Sequence, residues 1–198
     1  MQRIIKYILL LWIPLISSET IIIDGNLDEK EWNSAFVIND YYEVVPFTLN
    51  PAEVKTTAKI FSNEDGIYVG FINYQENSSM ISNKSLRDAW DVNAEQNGVA
   101  IDFDSDGAKA YMFMISLANV QRDGVRQLGS FPEFDWDGDW EAKTKKHDGY
   151  WISEFLIPWD IVLMKPEADI KRKINVTTYR YLANEKVWLN DTKTSGFR

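Results

Sequence analysis

The 198-residue sequence contains no cysteine, which excludes disulfide bonds and thiolate metal sites. It also lacks a serine nucleophile elbow, a glycine-rich phosphate loop and a zinc motif, so the commonest signatures of hydrolases, nucleotide-binding proteins and zinc enzymes are missing. Acidic residues outnumber basic ones by 30 to 21, and the formal net charge of −9 argues against nucleic acid and anionic membrane surfaces as partners. Thirty acidic residues always offer carboxylate pairs of the kind that glycoside hydrolases use, and nothing in the sequence singles out two of them.

Apolar and aromatic residues are plentiful. The hydrophobic fraction is 45%, the aromatic fraction is 14% and there are eight tryptophans. A chain of this length and composition can build the core of one ordinary domain and is hardly long enough for two.

The first eighteen residues have the pattern of a signal peptide. Arg3 and Lys6 precede an apolar run of about ten residues, too short to span a bilayer, and Ser17 and Ser18 suit signal peptidase. We therefore predict cleavage near Ser18 and export to the periplasm, the outer membrane or the medium, with a buried N-terminal helix as the alternative. The domain is expected over 19–190, with 191–198 as a tail or the start of a further C-terminal region.

The remaining sequence predicts strands. Apolar and polar residues alternate over 54–60, a polar turn follows at 63–66, and 67–74 is apolar on both faces, which together indicate a hairpin with one central strand. Similar patterns predict two more hairpins and one last strand: 98–103 with 110–117, 140–145 with 150–157, and 174–182. The segments 75–97 and 119–139 are predicted to be loops. This spacing predicts an all-β protein, an antiparallel β-sandwich with one or two short helical turns.

A compact motif lies at the start of the predicted domain. Ile21–Ile23 leads into Asp24-Gly25, and Leu27-Asp28 and then Trp32 follow. Any strand, turn and short helix capped by Asp28 could produce this pattern. The order of the residues nevertheless resembles the opening of family 9 carbohydrate-binding modules. Further segments resemble the same family in the same order, so that the resemblance covers about 23–182: 67–70, 98–102, 119–124, 135–137, 140–142 and 149–158.

The resemblance implies a β-sandwich that binds carbohydrate without catalysis, with structural calcium. It is strongest to a branch at the N-terminus of larger exported bacterial proteins that continue into a region of outer-membrane β-barrel character, although that branch has Phe where this chain has Trp159. The expected partner is an oligo- or polysaccharide and the expected state is a monomer. The first alternative is a structural domain that docks onto an outer-membrane barrel or another partner and binds no sugar. The second is a glycoside hydrolase.

Tryptophans in polar loops are the first candidates for ligand binding, because the apolar faces of sugars stack on aromatic rings while hydroxyl groups need polar neighbours. Trp90 and Trp136 lie beside aspartates in such loops, although simple loop anchoring is the alternative for both. The residues predicted to bind the ligand are Trp90, Trp136, Arg122, Asp135 and Trp159. Three other tryptophans occupy strand or cap positions and are assigned to the core: Trp32, Trp140 and Trp151.

Asp102, Asp104 and Asp106 form the D-x-D-x-D-G start of a calcium loop, in which alternate carboxylates converge on the ion. The twelfth position is Phe113 rather than Glu, so the segment is not an EF-hand. A hairpin turn that uses Asp and Gly for backbone reasons is the alternative. A second run of alternate carboxylates, also a possible calcium site, consists of Asp135, Asp137 and Asp139.

Glu154 is an acidic residue in an apolar strand. Alternation places it on one face with Ile152 and Leu156, where a carboxylate is costly unless it is paired. We therefore predict a structural pairing, with Arg122 or Arg180 as its partner, and ligand contact as the alternative. The one histidine, His147, lies in a polar turn and is expected to be solvated.

Overall fold

The computed structural model describes residues 21–89, 93–164 and 173–193. Within these ranges the chain forms eleven β-strands and two short 3-10 helices, Lys30–Asn33 and Trp159–Ile161. No helix in the described part of the chain has the length and apolar character needed to cross a membrane. The predicted signal peptide, residues 1–18, lies outside the described residues.

The strands form two antiparallel sheets, which confirms the predicted β-sandwich. In spatial order the five-stranded sheet contains β1 (Phe36–Ile38), β3 (Thr56–Ser62), β4 (Gly66–Tyr74), β9 (Tyr150–Pro158) and β8 (Glu141–His147). The six-stranded sheet contains β2 (Tyr42–Val45), β11 (Val187–Asn190), β10 (Asn175–Leu182), β5 (Gln96–Asp102), β6 (Lys109–Ser116) and β7 (Gln121–Gln127).

The three predicted hairpins are confirmed as β3–β4, β5–β6 and β8–β9, and the predicted last strand is β10. The prediction of a loop over 119–139 is wrong for its first part, because Gln121–Gln127 forms the edge strand β7. Its sequence is mostly polar and lacks apolar alternation, so it gives no strand signal. The short strands β1, β2 and β11 were also not predicted, since three or four residues are too few to establish a period.

The main core lies between the sheets. It is built from inward residues of the central strands, such as Phe71, Val99, Phe113 and Phe155, all of which are fully buried. Trp140 stacks on Phe155 with ring centroids 5.8 Å apart and an angle of 6° between the planes. The three tryptophans assigned to the core from the sequence are all buried: Trp32, Trp140 and Trp151.

The outer face of the five-stranded sheet is covered by the segment 21–33. Gly70, in the middle of β4, faces this segment, and a Cβ atom there would lie 2.6 Å from Leu27 Cδ2 and 3.0 Å from the Trp32 ring. Glycine is therefore required for this close approach. Trp32 also meets the ring of Phe61 edge-on, with centroids 4.7 Å apart. The segment 21–33 thus closes an apolar surface that would otherwise face solvent.

Glu154 is fully buried on this same face. Its Oε2 accepts hydrogen bonds from the backbone N–H groups of Asp24 and Gly25, each at 3.0 Å. The predicted arginine partner is therefore wrong: backbone donors of the Asp-Gly turn bind this carboxylate. Burial raises the pKa of Glu154 to about 8, the N–H of Gly25 opposes that rise, and the negative charge of Glu29 adds to it.

Candidate functional site

The outer face of the six-stranded sheet carries aromatic, methionine and arginine side chains, and we call it the six-stranded outer face. Strand pairing places its members in rows, because Cα partners in an antiparallel sheet point to the same side. Tyr181 is paired with Trp188, and one row crosses four strands through Tyr179, Gly98, Met114 and Arg122. The residues that define this face are Trp188, Tyr181, Tyr179, Gly98, Ala100, Ala110, Met112, Met114, Arg122, Gly124 and Arg126.

Aromatic side chains occupy the β10–β11 side of this face. The rings of Tyr181 and Trp188 lie 4.8 Å apart at an angle of 32°, and both residues are half-buried. Neighbouring Tyr179 is only 5% exposed. Burial raises the pKa of Tyr179 to about 12, and the positive charge of Arg126 opposes the rise. The Tyr181–Trp188 pair is therefore the accessible aromatic feature beside a buried phenol.

Small and flexible apolar residues form the middle of the six-stranded outer face. Ala100, Met112, Met114 and Tyr179 make a buried cluster that is separate from the main core. A Cβ atom on Gly98 would lie 3.2 Å from Met114 Cγ, so Met114 packs closely over this glycine. Met112 and Met114 are 5% and 3% exposed, so these flexible side chains fill the middle of the face rather than face solvent.

Arg122 lies on the β7 side of the face, where its guanidinium carbon is 4.6 Å from the ring centre of Phe134. It donates hydrogen bonds to Ala89 O at 3.3 Å and to Met114 Sδ at 3.2 Å. Burial lowers the pKa of Arg122 to about 10, and the negative charge of Asp88 opposes the decrease. The side chain therefore remains charged at neutral pH and is held in place by its aromatic and polar contacts.

The position of Phe134 depends on the edge of β7. Val125 and Glu133 exchange two backbone hydrogen bonds of 2.8 Å, which bring the segment 133–134 back along this strand. A Cβ atom on Gly124 would lie 2.3 Å from Glu133 O and 2.9 Å from Phe134 Cδ1. The glycine thus allows Phe134 to reach the outer face and contact Arg122.

The predicted ligand-binding residues do not come together at one place. Trp90 lies outside the described residues, and Arg122 is on the six-stranded outer face. Trp136 is half-buried and meets Tyr111 edge-on at 4.9 Å, which directs its ring towards the core. Asp135 is exposed beside Phe134.

Trp159 lies at one end of the five-stranded sheet, where it begins the second 3-10 helix. Its Nε1 donates a hydrogen bond to Asn63 O at 2.8 Å, and its ring packs against the edge of the main core. It therefore belongs to a different part of the molecule from Arg122.

Sequence reasoning missed the aromatic residues Tyr179, Tyr181 and Trp188. A signal was available for two of them, because the predicted strand 174–182 places Tyr179 and Tyr181 at alternate positions and hence on one face. Trp188 had no such signal, since its strand is four residues long.

Asp102 is buried and its carboxylate is already bonded within the turn. It accepts hydrogen bonds from Asp104 N at 3.1 Å and Gly107 N at 2.8 Å, and Asp106 accepts one from Ala108 N at 2.9 Å. These bonds are typical of turns in which Asp stabilises the backbone. Calcium binding by Asp102, Asp104 and Asp106 stays a prediction from the sequence.

In the described ranges, one set of three acidic side chains has oxygen atoms that all lie within 4.8 Å of one another, namely Asp88, Asp123 and Asp137. Arg87 already binds this set, with a distance of 2.7 Å to Asp123, 3.3 Å to Asp88 and 3.4 Å to Asp137. Burial raises the pKa of Asp123, whereas the N–H of Gly138 and the charge of Arg87 lower it. The Arg87 guanidinium thus already occupies oxygen atoms of this set that could otherwise bind a cation.

No family model matches this chain, and no curated protein matches it. Solved structures share its fold. One is "a putative carbohydrate-binding protein" from Bacteroides uniformis ATCC 8492, with a TM-score of 0.65, 9% identity, and coverage of 85% of this chain and 82% of that one. Two others are a family 9 carbohydrate-binding module from Caldicellulosiruptor kristjanssonii.

In complex with cellotriose, that module matches with a TM-score of 0.53, 14% identity, and coverage of 86% of this chain and 78% of the other. In complex with glucose, it matches with a TM-score of 0.56, 14% identity, and coverage of 86% and 80% respectively. At these identities the comparison establishes the fold, which is that of family 9 carbohydrate-binding modules.

Proposed function

We propose that this chain is a non-catalytic carbohydrate-binding module and that its ligand lies on the six-stranded outer face. The observation that carries the proposal is the half-buried Tyr181–Trp188 pair on that face. Aromatic rings with a polar edge suit the mixed apolar and hydroxylated surface of a sugar. The fold is also shared with modules that were solved with cellotriose and with glucose.

Polar partners for the hydroxyl groups would come from the β7 side. Arg122 is held by Phe134 and by Ala89 O, and Asp135 follows Phe134 in the chain. Trp90 directly follows Ala89 in the sequence and stays in the proposed site on that ground. Trp136 and Trp159 are engaged with the core and with Asn63, so the proposal does not use them.

The wider role that we propose is polysaccharide capture by an exported protein. The predicted signal peptide, 1–18, would direct the chain across the inner membrane. Capture would then support polysaccharide breakdown by other proteins.

The test is affinity electrophoresis of residues 19–198 through gels that contain plant, algal or bacterial polysaccharides. Trp188→Ala and Tyr181→Ala are the test variants. Trp159→Ala is the matched control because it removes a half-buried tryptophan from the short helix at the end of the five-stranded sheet. We expect at least one polymer to retard the wild type and the Trp159→Ala variant but not Trp188→Ala. Unchanged migration of folded wild type in every gel would contradict the proposal.

A docking role is the second candidate, favoured by apolar side chains exposed near the sheet edges. Phe36 and Val37 on β1 are 69% and 44% exposed, and Phe47, which follows β2, is 56% exposed. Edge strands with exposed apolar residues are open to another chain. If no sugar binds, pull-down of an outer-membrane fraction by the wild type but not by Phe36→Ser and Phe47→Ser would favour this role.

A further inference from the structure

Arg126 differs from other arginines that the structure describes. Arg87 binds three carboxylates, Arg122 packs on Phe134, and buried Arg180 donates to Thr56 Oγ1 at 2.8 Å and Gln75 Oε1 at 2.9 Å. Arg126 is half-buried on β7. Over the described ranges its guanidinium has neither a hydrogen-bond partner nor an ion-pair partner.

The surroundings of Arg126 form a small cavity at one end of the six-stranded outer face. Its volume is about 130 Å³, and it is lined by Arg126, Lys109, Asp102, Ala110, Gln127 and Leu128. Two cationic side chains thus line one cavity in a chain whose formal net charge is −9. The one acid in the lining, Asp102, is bound by the N–H groups of Asp104 and Gly107.

Two further features direct Arg126 towards the sugar site. Its strand partner on β6 is Ala110, a small residue that leaves space above the sheet. Burial raises the pKa of Tyr179, and the charge of Arg126 opposes that rise, so the two side chains act on each other across the face. A half-buried guanidinium without a partner in the described structure has its N–H donors available to a ligand.

We propose that the carbohydrate recognised by this face carries an anionic group, a carboxylate or a sulfate, and that the Arg126 guanidinium binds it. The planar fork of arginine matches such oxyanions with two parallel hydrogen bonds. This inference rests on the proposed function, since it names the chemical class of ligand for the same face.

The geometry also sets the length of the ligand. Tyr181 lies on β10 and Arg126 on β7, three strand spacings apart across the sheet, which is about 14 Å at about 4.8 Å per strand. The register also places Arg126 level with Asn175, six residues or about 20 Å from Tyr181 along the strands, so the two positions are about 24 Å apart. A sugar stacked on Tyr181 and Trp188 therefore cannot also place its own charge at Arg126. The ligand is a chain of several sugars with the acidic unit towards β7.

The experiment measures the affinity of residues 19–198 by calorimetry for three classes of soluble oligosaccharide. They are neutral cello-oligosaccharides and manno-oligosaccharides, uronate oligomers from pectin and alginate, and sulfated galactan oligomers. The variants are Arg126→Gln and Arg126→Lys. Lys143→Gln is the matched control, since it removes one positive charge from an exposed position on the five-stranded sheet.

We expect the wild type to bind an anionic oligomer, from either the uronate or the sulfated class, more tightly than the neutral ones. Arg126→Gln should weaken that binding by about 10-fold or more, because a hydrogen-bonded ion pair is lost. Arg126→Lys should weaken it less, and Lys143→Gln should leave it within about 2-fold. Whichever anionic class binds identifies the oxyanion.

Equal affinities of Arg126→Gln and Lys143→Gln for the anionic oligomer would overturn this inference. So would wild type that binds only neutral oligosaccharides, although that result would leave the proposed function in place. Absence of binding to every class, by protein whose circular dichroism shows it to be folded, would overturn both.

Discussion

The two outer faces of the sandwich differ in how far the chain covers them. The five-stranded sheet is covered by the chain itself, because the segment 21–33 packs on Gly70 and its backbone binds Glu154. On the six-stranded outer face, the Tyr181–Trp188 pair and Arg126 are only half-buried. The chain therefore covers one outer face itself, whereas the other face, where we propose that the ligand binds, keeps half-buried aromatic and cationic side chains.

The difference is clearest in how each face binds an ionisable side chain. Glu154 is fully buried and receives two hydrogen bonds from its own chain, so its environment is complete apart from its second oxygen. Arg126 is half-buried, and within the described residues no hydrogen bond or ion pair involves its guanidinium. A polar group bound by its own chain indicates a structural role, whereas we propose that Arg126, which lacks such a partner, recognises another molecule.

The largest effect that we predict is on the covered face. Trp32→Ala removes a side chain that is 1% exposed, and it should lower the free energy of unfolding by about 3–5 kcal/mol. Urea unfolding followed by circular dichroism measures this loss. Trp188→Ala, on the six-stranded outer face, should lower the free energy of unfolding by about 1 kcal/mol or less. Similar losses for the two variants would remove the distinction between the faces.

The second prediction concerns the pH dependence that Glu154 contributes. Its pKa is about 8 in the folded protein, compared with an ordinary value of 4.5. Between these values the unfolded chain has released this proton and the folded chain retains it, so the free energy of unfolding falls as pH rises through this window. The contribution is fully present below about pH 4.5 and is of the order of 4–5 kcal/mol, because each pKa unit corresponds to about 1.4 kcal/mol.

Glu154→Gln cannot ionise, and it retains an oxygen acceptor for the N–H groups of Asp24 and Gly25. Urea unfolding at pH 5, 6, 7 and 8 should therefore show a shallower decrease for this variant than for the wild type. Glu141→Gln, on neighbouring strand β8, controls for the loss of one carboxylate. Parallel pH profiles for wild type and Glu154→Gln would show that this carboxyl does not retain its proton on folding.

Local signals made the sandwich predictable from the sequence. Each confirmed hairpin joins two segments with a strand pattern through a short polar turn, so all the information lies within about 25 residues. Glu154 was assigned to the correct face for the same reason. Its partner was not predicted, because backbone N–H groups 129 and 130 residues away leave no side-chain signal.

The candidate site depends on sheet order, which alternation does not reveal. Tyr181 on β10 and Arg126 on β7 share a face because β5 and β6 lie between their strands. From the sequence, tryptophans in polar loops were predicted to bind the sugar. The ring of Trp136 instead packs against Tyr111 and Phe113. Polarity along a segment therefore did not indicate the direction of this side chain.

The third prediction concerns the segment that holds Phe134 against Arg122 on the six-stranded outer face. Gly124→Ala places a Cβ atom 2.3 Å from Glu133 O, which forces the segment 133–134 away from β7. Phe134 would then lose its contact with Arg122, and we expect a loss of about 1–3 kcal/mol in stability together with weaker sugar binding. Gly149→Ala has open space around its Cβ position but a φ of +80°, so it is the control for a destabilising glycine substitution far from Phe134. Unchanged sugar affinity in Gly124→Ala would show that the contact between Phe134 and Arg122 is not needed for sugar binding.

The smallest predicted effect on stability is that of Arg126→Gln, and it tests the difference between the two outer faces most directly. Because the described structure gives Arg126 no partner, Arg126→Gln removes no native hydrogen bond and should change the free energy of unfolding by about 0.5 kcal/mol or less. Urea unfolding in the absence of sugar, beside Lys143→Gln, measures this difference. A loss well above that of Lys143→Gln would mean that Arg126 supports the fold. Unchanged stability together with lost affinity for an anionic oligosaccharide would mean that its charge serves the ligand, as the contrast with Glu154 predicts.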